Sequence, residues 1–176
     1  MHDPQHSQQR AGRAMLYIAW LLVLGLLTIA FGFWEKYQYN PNSNPTSVRS
    51  NADNVIEVQL ASNRYNHYVV NGTINGQNVT FLLDTGATNV AIPAHLARQL
   101  NLQRGHRYQV MTANGIAEAF DTQLNTLTIG EIFLSDIRAS INPSMTSNEI
   151  LLGMSALKEI EFAQKGDQLI LRQYVQ

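Results

Sequence analysis

An uninterrupted apolar run near the start of the chain constrains its architecture most. From Ala14 to Trp34 the sequence reads AMLYIAWLLVLGLLTIAFGFW, and its only ionisable side chain is that of Tyr17. A helix of this length crosses a hydrocarbon core of about 30 Å. A cleavable signal peptide is the alternative, but its apolar region spans only about 7–15 residues and ends at small residues. This run continues through bulky Phe31 and Phe33, so we expect residues 14–34 to be an uncleaved transmembrane anchor.

Charges that flank the run predict its orientation. Arg10 and Arg13 precede it, whereas Glu35 and Lys36 follow it and nearly cancel. Because positive residues stay on the cytoplasmic side, we expect residues 1–13 to be a cytoplasmic tail. The predicted location is the inner (cytoplasmic) membrane, with a single pass and the folded domain on the periplasmic, extracytoplasmic side.

Composition changes again after the run. Residues 35–54 are rich in Asn, Ser and Pro, which is typical of a flexible linker. The folded domain is then expected over residues 55–176, a normal domain size.

The net charge of −1 argues against a nucleic-acid partner. The absence of cysteine excludes disulfides and thiolate sites, and the five scattered histidines lack ligand spacing, so we expect no metal and no cofactor.

The pattern within residues 55–176 is mostly that of strands. Asn75-Gly76 separates two strand-like segments, Tyr68–Ile74 and Gln77–Leu83, which is a strong hairpin signal. Two further hairpins are predicted around 113–115 and 130–131, flanked by strands over 107–112, 116–120, 124–129 and 132–141. Short helices are predicted from Pro93 to Leu100 and over 154–160. Many short strands with frequent turns indicate an all-β barrel or sandwich.

One stretch carries chemistry: Phe81-Leu82-Leu83-Asp84-Thr85-Gly86-Ala87-Thr88. An apolar strand runs directly into a carboxylate, a small hydroxyl residue and a glycine, so the acid lies at a strand end. The simplest interpretation is a turn, in which Asp and Gly are common. An apolar strand resumes at Val90, however, and a second apolar run, Ile150-Leu151-Leu152-Gly153, precedes the last predicted helix.

Together these pieces resemble the retropepsins, the retroviral-type aspartic proteases, and in particular their single-lobed, membrane-anchored bacterial branch. The resemblance covers about Val55 to Gln176 and implies a closed acid-protease barrel with short helices. It implies that Asp84 is catalytic in an endopeptidase acting on peptide or protein substrates. It further implies an active-site loop formed by Thr85, Gly86 and Ala87. The implied flap, which closes over substrate, consists of Met111, Thr112, Ala113, Asn114 and Gly115. The implied segment that supports the site consists of Ile150, Leu151, Leu152 and Gly153.

The chemistry explains why one Asp84 is not sufficient. Hydrolysis by this mechanism uses one carboxylate as base and one carboxylic acid as proton donor, about 3 Å apart. Asp121, Asp136 and Asp167 lack the following glycine and are expected to be solvated acids. A homodimer that pairs two copies of Asp84 supplies the second carboxylate. Two alternatives remain open at this point: a catalytically silent, anchored peptide-binding module, and an assembly domain in which Asp84-Thr85-Gly86 is a plain turn.

Overall fold

A single long helix, α1, begins the described part of the chain. The structure, a computed structural model, describes residues 4–50, 54–112 and 115–175. α1 runs from Pro4 to Tyr39. Within Met15–Tyr39 an apolar stretch has a mean hydropathy of 2.3, and none of that stretch is buried. The helix is long and apolar enough to cross a membrane, and a signal sequence has the same properties. Residues up to Gln38 form one unit and Tyr39–Gln176 form a second.

The second unit is built mainly from strands. Its described elements, in chain order, are β1 Ser47–Ser50, β2 Val55–Ala61, β3 Val69–Ile74, β4 Gln77–Leu83, β5 Val90–Pro93, α2 Ala94–Gln99, β6 Arg107–Thr112, β7 Gly115–Ile129, β8 Ile132–Asn142, β9 Ile150–Leu152, α3 Met154–Leu157, β10 Glu161–Lys165 and β11 Gln168–Tyr174. The all-β class with short helices, predicted from the strand pattern, is confirmed.

Six of these strands close into a barrel. They are hydrogen-bonded in the order β3-β4-β9-β5-β8-β7, and β3 also pairs with β7, which completes the ring. β6 extends from β7 as the outer strand of a hairpin. The barrel interior is filled by fully buried side chains such as Phe81, Ile92, Leu124 and Ile150. This closure removes the sheet edges that would otherwise need protection.

Local sequence signals explain the first hairpin of the barrel. Asn75 has φ +50° and Gly76 has φ +79°, the two left-handed positions of a type I′ turn. Gly72, three residues before Asn75, lies so close to β7 that a Cβ atom would overlap the carbonyl oxygen of Thr128. These residues fix the register of β3 against β4 and let β3 approach β7.

A second sheet, the terminal sheet, has the strand order β1-β2-β11-β10. One face is buried through residues of β2 and β11, among them Val58, Leu60 and Leu171. On the other face, Arg172 Nε donates to Glu57 at 2.8 Å and Arg172 Nη1 lies 3.4 Å from Glu161. The sheet therefore has one apolar face and one face that carries a row of paired charges.

The described part of residues 35–54 is not the flexible linker that its composition predicts. Helix α1 continues to Tyr39, and β1 pairs with β2. Asn42 is buried, and its amide nitrogen donates to the carbonyls of Ala61 and Val69 at 2.9 and 2.8 Å while its oxygen accepts from the Ala61 amide at 2.8 Å. The asparagine side chain completes the hydrogen bonding of a strand, so the folded unit begins near Tyr39 and not at Val55.

Other boundaries also differ from the sequence expectation. β7 is one continuous strand where two were predicted over 116–120 and 124–129, because the residues between them, 121–123, are paired with β8. The last helix ends at Leu157 and not at 160. The hairpin of β10 and β11 was not predicted, and Asp167 lies in its turn.

Candidate active site

Asp84 lies immediately beyond the end of β4, at the edge of the barrel. β4 runs parallel to β9, with Leu83 opposite Leu152. The Asp84 amide extends this pairing by donating to the Leu152 carbonyl at 3.2 Å. Strands β4 and β9, which are distant in the sequence, therefore both hold the start of the Asp84 loop.

The loop positions the carboxylate by a short internal hydrogen bond. The Gly86 amide donates to Asp84 Oδ1 at 2.9 Å, and the Ala87 amide donates to the Asp84 carbonyl at 3.2 Å. A Cβ atom on Gly86 would lie 3.1 Å from Oδ1, so glycine leaves room for the carboxylate. Asp84 is half-buried, whereas Thr85 and Gly86 are exposed. Within the described residues the Thr85 hydroxyl has no hydrogen-bond partner.

The predicted supporting segment lies against this loop. β9 supplies Ile150, Leu151 and Leu152, and Gly153 packs on the loop backbone. Beyond it, the amides of Met154 and Ser155 donate to the carbonyls of Ala87 and Thr88 at 2.8 and 2.9 Å. The structure therefore brings the 84–87 loop and the 150–153 segment together, although about 65 residues separate them in the sequence.

Ser155 is a supporting residue that the sequence patterns did not reveal. Its hydroxyl accepts from the Val90 amide at 3.0 Å and donates to the Arg138 carbonyl at 2.7 Å. One side chain thus joins α3 to β5 and β8 directly behind the loop. A serine near a helix start is usually interpreted as a local cap, which gives no indication of this cross-strand role.

The predicted flap is the tip of the β6–β7 hairpin. Met111 pairs with Ile116, and both are strongly exposed, at 87 % and 69 %. Thr112 pairs with Gly115, whose carbonyl accepts a hydrogen bond from the Thr112 hydroxyl at 2.8 Å. Ala113 and Asn114, at the predicted tip, lie outside the described residues. Among the described strands, β6 is hydrogen-bonded to β7 alone, so this hairpin projects from the barrel.

Comparison with known proteins identifies the family. The profile described as "gag-polyprotein putative aspartyl protease" matches residues 70–159, which include the Asp84 loop, the hairpin and β9. The chain belongs to this retropepsin-like aspartic protease family. A crystal structure of a retropepsin-like aspartic protease from Rickettsia conorii is 29 % identical, with a TM-score of 0.58, and the match covers 74 % of this chain and 96 % of that one. An uncharacterized protein encoded in the cobV 5′ region of Sinorhizobium sp is 30 % identical over 94 % of this chain and 76 % of its own length.

In this retropepsin-like domain a large groove lies away from Asp84. A groove of about 680 Å³ is lined by the outer side of the β3–β4 hairpin, α2 and residues 43–45, and neither Asp84 nor the described flap residues line it. This groove is therefore separate from the Asp84 loop.

The other acids of the retropepsin-like domain lie elsewhere. Asp121 and Asp136 line a separate cavity of about 450 Å³ together with Arg138, and Asp84 is not part of its lining. Asp136 has φ +55° within β8, and the ladder skips it, so it sits at an irregularity of the strand. In the described residues no group of three or more His, Asp or Glu side chains is arranged to hold a metal ion.

Proposed function

We propose that this protein is a membrane-anchored aspartic endopeptidase whose active site forms when the Asp84 loops of two copies meet. One observation carries the proposal: the Asp84 carboxylate is held by the Gly86 amide at 2.9 Å in a half-buried loop that opens to solvent. The family supports a protease, and the loop supplies the group that an aspartic protease needs.

The proposed mechanism uses the two Asp84 carboxyl groups in different protonation states. Close to each other they cannot both ionise, so they share one proton. The ionised carboxylate takes a proton from water as the water oxygen attacks the peptide carbonyl carbon. The protonated carboxyl gives its proton to the carbonyl oxygen. The nitrogen of the tetrahedral intermediate then accepts a proton from the acid formed in the first step, and the C–N bond breaks. One hydroxyl of the intermediate gives its proton to the other, now ionised, carboxylate, which forms the carboxylic acid product and restores the pair that shares one proton.

Three features favour a second copy as the source of the partner carboxylate. The sequence contains one Asp-Thr-Gly and no second Asp-(Ser/Thr)-Gly. Asp121 and Asp136 line a cavity of their own. Thr85 and Gly86 are exposed beside Asp84, which leaves the loop accessible to a symmetry-related loop. A two-fold axis through this point pairs identical surfaces, as an isologous dimer requires.

The hairpin tip is proposed to cover a bound peptide. It projects from the barrel, and none of the described strands other than β7 pairs with its edge strand β6. Met111 and Ile116 are large apolar side chains that are exposed at the hairpin tip. Neighbouring exposed apolar side chains often mark a binding surface. We assign them to contacts made when substrate and the second copy are present.

The anchor is proposed to be α1, with the protease domain on the extracytoplasmic side. Its apolar stretch and the upstream arginines support this orientation. Protease protection on sealed inside-out and right-side-out vesicles tests it. The domain should be degraded only from the extracytoplasmic face, and degradation only from the cytoplasmic face would refute the orientation.

The test of the activity is Asp84→Asn in the full chain. The amide cannot act as base or share a proton, so cleavage of a mixed peptide library should fall by about 10²–10⁴-fold or more. Asp121→Asn is the matched control and should retain activity. Wild-type cleavage that survives Asp84→Asn would remove Asp84 from the mechanism. A wild type that binds peptides without cleaving them would favour the silent binding module.

A further inference from the structure

The groove on the outer side of the β3–β4 hairpin is polar but uncharged. Its volume of about 680 Å³ falls within the range of about 300–1,000 Å³ that is usual for small-ligand sites. Most of the described residues that line it carry a side-chain amide or hydroxyl, and none of them is charged. A phosphate or carboxylate would find no counter-charge among these residues, so the groove suits a neutral ligand.

The floor of the groove is the outward face of the hairpin. Asn71 pairs with Thr80, and Thr73 pairs with Asn78. These four side chains share one face, because side chains alternate along a strand and the neighbouring Phe81 is buried in the barrel. A peptide that binds by adding a strand needs an unpaired sheet edge, whereas this floor is a sheet face covered by neutral polar side chains.

Hydrogen bonds within the protein hold part of this floor in place. Asn71 Nδ2 donates to the Ser43 carbonyl at 2.9 Å, and Asn71 Oδ1 accepts from the Thr80 hydroxyl at 3.0 Å. The Thr73 hydroxyl lies 2.7 Å from that of Thr128 on β7. Because these side chains are already ordered, a ligand that contacts them pays little further conformational entropy.

Other amide side chains of the groove remain available to a ligand. They are exposed, and within the described part of the chain they have no hydrogen-bond partner; they are Asn44, Gln77, Asn78 and Gln99. Each amide offers two N–H donors and one carbonyl acceptor. Leu96 and Leu100 add apolar surface from the same side of α2 and its end, since they are four residues apart.

We propose that this groove binds a neutral oligosaccharide. Each sugar hydroxyl both donates and accepts hydrogen bonds, which matches the amide and hydroxyl groups of the lining. The C–H faces of a sugar ring pack on the apolar surface of Leu96 and Leu100. Asp84 does not line the groove, so the inference does not rest on the proposed proteolysis. It gives the domain a second function, attachment to a polysaccharide.

Titration of the full chain with the tetramer of N-acetylglucosamine tests the proposal. This probe is neutral and carries hydroxyl and acetamido groups; the β-1,4-linked tetramer of glucose is a second probe, without acetamido groups. The detergent must have no sugar headgroup, because such a headgroup would compete for the groove. Calorimetry should show saturable binding of at least one probe, with a Kd of about 1 mM or tighter. Asp84→Asn should bind that probe as the wild type does.

Substitutions in the groove locate the binding. Asn78→Ala and Gln99→Ala each remove an exposed amide, and the double variant should raise the Kd by about 10-fold, because each lost hydrogen bond weakens binding by roughly 2–10-fold. Asn125→Ala is the matched control. Asn125 is an exposed strand asparagine of β7 that does not line the groove, so its removal should leave the Kd unchanged. Thermal unfolding checks that all three variants fold.

The outcomes separate this site from the proposed protease. If neither tetramer binds saturably, the saccharide site is overturned and the protease proposal is unaffected. Equal affinity of the wild type and the double variant would place the sugar elsewhere and would also overturn the site. A groove that binds a neutral Asn- and Ser-rich peptide but neither tetramer would be a peptide site instead. Binding that the double variant weakens and Asn125→Ala does not would support the proposal.

Discussion

Gly153 packs directly against Asn89: a Cβ atom at position 153 would overlap the carbonyl oxygen of Asn89 and would lie 2.7 Å from that of Ala87. The backbone φ of Gly153 is −87°, so glycine is required here for space and not for its torsion angles. The contact holds the Asp84 loop against the start of α3.

The first prediction follows from this contact. Gly153→Ala should push the 87–89 backbone away and destabilise the fold by about 1–3 kcal/mol, with a larger relative loss of cleavage because the Asp84 loop shifts. Thermal unfolding and peptide cleavage measure the two effects. Gly166→Ala is a control, because nothing lies within 4 Å of its Cβ position, although its φ of +60° carries some strain. Equal activity in Gly153→Ala and wild type would contradict the role assigned to the contact.

A second prediction concerns Ser155. Ser155→Ala leaves the buried Val90 amide and the Arg138 carbonyl without their partner, which should cost about 1–3 kcal/mol. Denaturant unfolding measures this change. Ser147→Ala removes an exposed hydroxyl that bonds the Glu149 carbonyl and should change stability by less than about 0.5 kcal/mol. Similar changes in the free energy of unfolding for the two substitutions would show that the Ser155 hydrogen bonds stabilise the fold no more than an exposed hydrogen bond does.

A third prediction tests where the folded unit begins. Asn42→Ala removes three side-chain hydrogen bonds, a buried one to Val69 and two part-buried ones to Ala61, and should destabilise the domain by on the order of 3 kcal/mol. Asn44 is exposed, so Asn44→Ala should be nearly neutral. If both variants unfold at the wild-type temperature, residues 39–50 do not stabilise the domain.

A fourth prediction concerns the proposed pairing of Asp84. Mixing one part of wild type with three parts of Asp84→Asn chains leaves about one sixteenth of random dimers with two intact carboxylates. Specific activity per wild-type chain should therefore fall about fourfold after subunit exchange. As a control, adding three parts of wild-type chains in place of the Asp84→Asn chains must raise total activity. Activity unaffected by the inactive chains would mean that each chain cleaves alone.

A fifth prediction uses the charge row of the terminal sheet. The pKa of Glu57 is lowered from its ordinary value of 4.5, first by the hydrogen bond from Gln59 and then by that from Arg172. A lowered pKa in the folded state stabilises the protein above the unfolded pKa, and this contribution is lost as pH falls through the folded value. Stability measured below pH 4.5 should therefore decline less steeply in Glu57→Gln than in wild type. Parallel profiles would exclude this contribution.

Strong local signals predicted the centre of the fold well. The hairpin around Asn75 and Gly76 was predicted with the observed bounds of β4, because the turn demands left-handed residues and the flanking segments alternate in polarity. The apolar run before Asp84 and the run ending at Gly153 were also found. Their parallel pairing could not be derived from periodicity, because it joins distant segments; the family resemblance implied only that the second run supports the site.

The missed elements lack such local signals. β10 is exposed along its whole length, so burial left no alternating pattern in its sequence. Asn40 and Asn42 were interpreted as linker residues because asparagine usually belongs to loops. Here both are buried, and the Asn42 side chain completes the hydrogen bonds of strand residues. A side chain that takes the place of a neighbouring strand in backbone hydrogen bonding is hard to recognise in the sequence, because the backbone groups that it bonds are distant along the chain.

The parallel pairing of β4 with β9 has a consequence for biosynthesis. Asp84 is translated early in the domain, but the strand that holds its loop, Ile150–Leu152, emerges late. Contacts of such large sequence separation form slowly and only after the intervening chain is present. A partly translated chain therefore carries the Asp84 motif without the strand that shapes it. Protein synthesis itself thus delays assembly of the site until nearly the whole domain has left the ribosome.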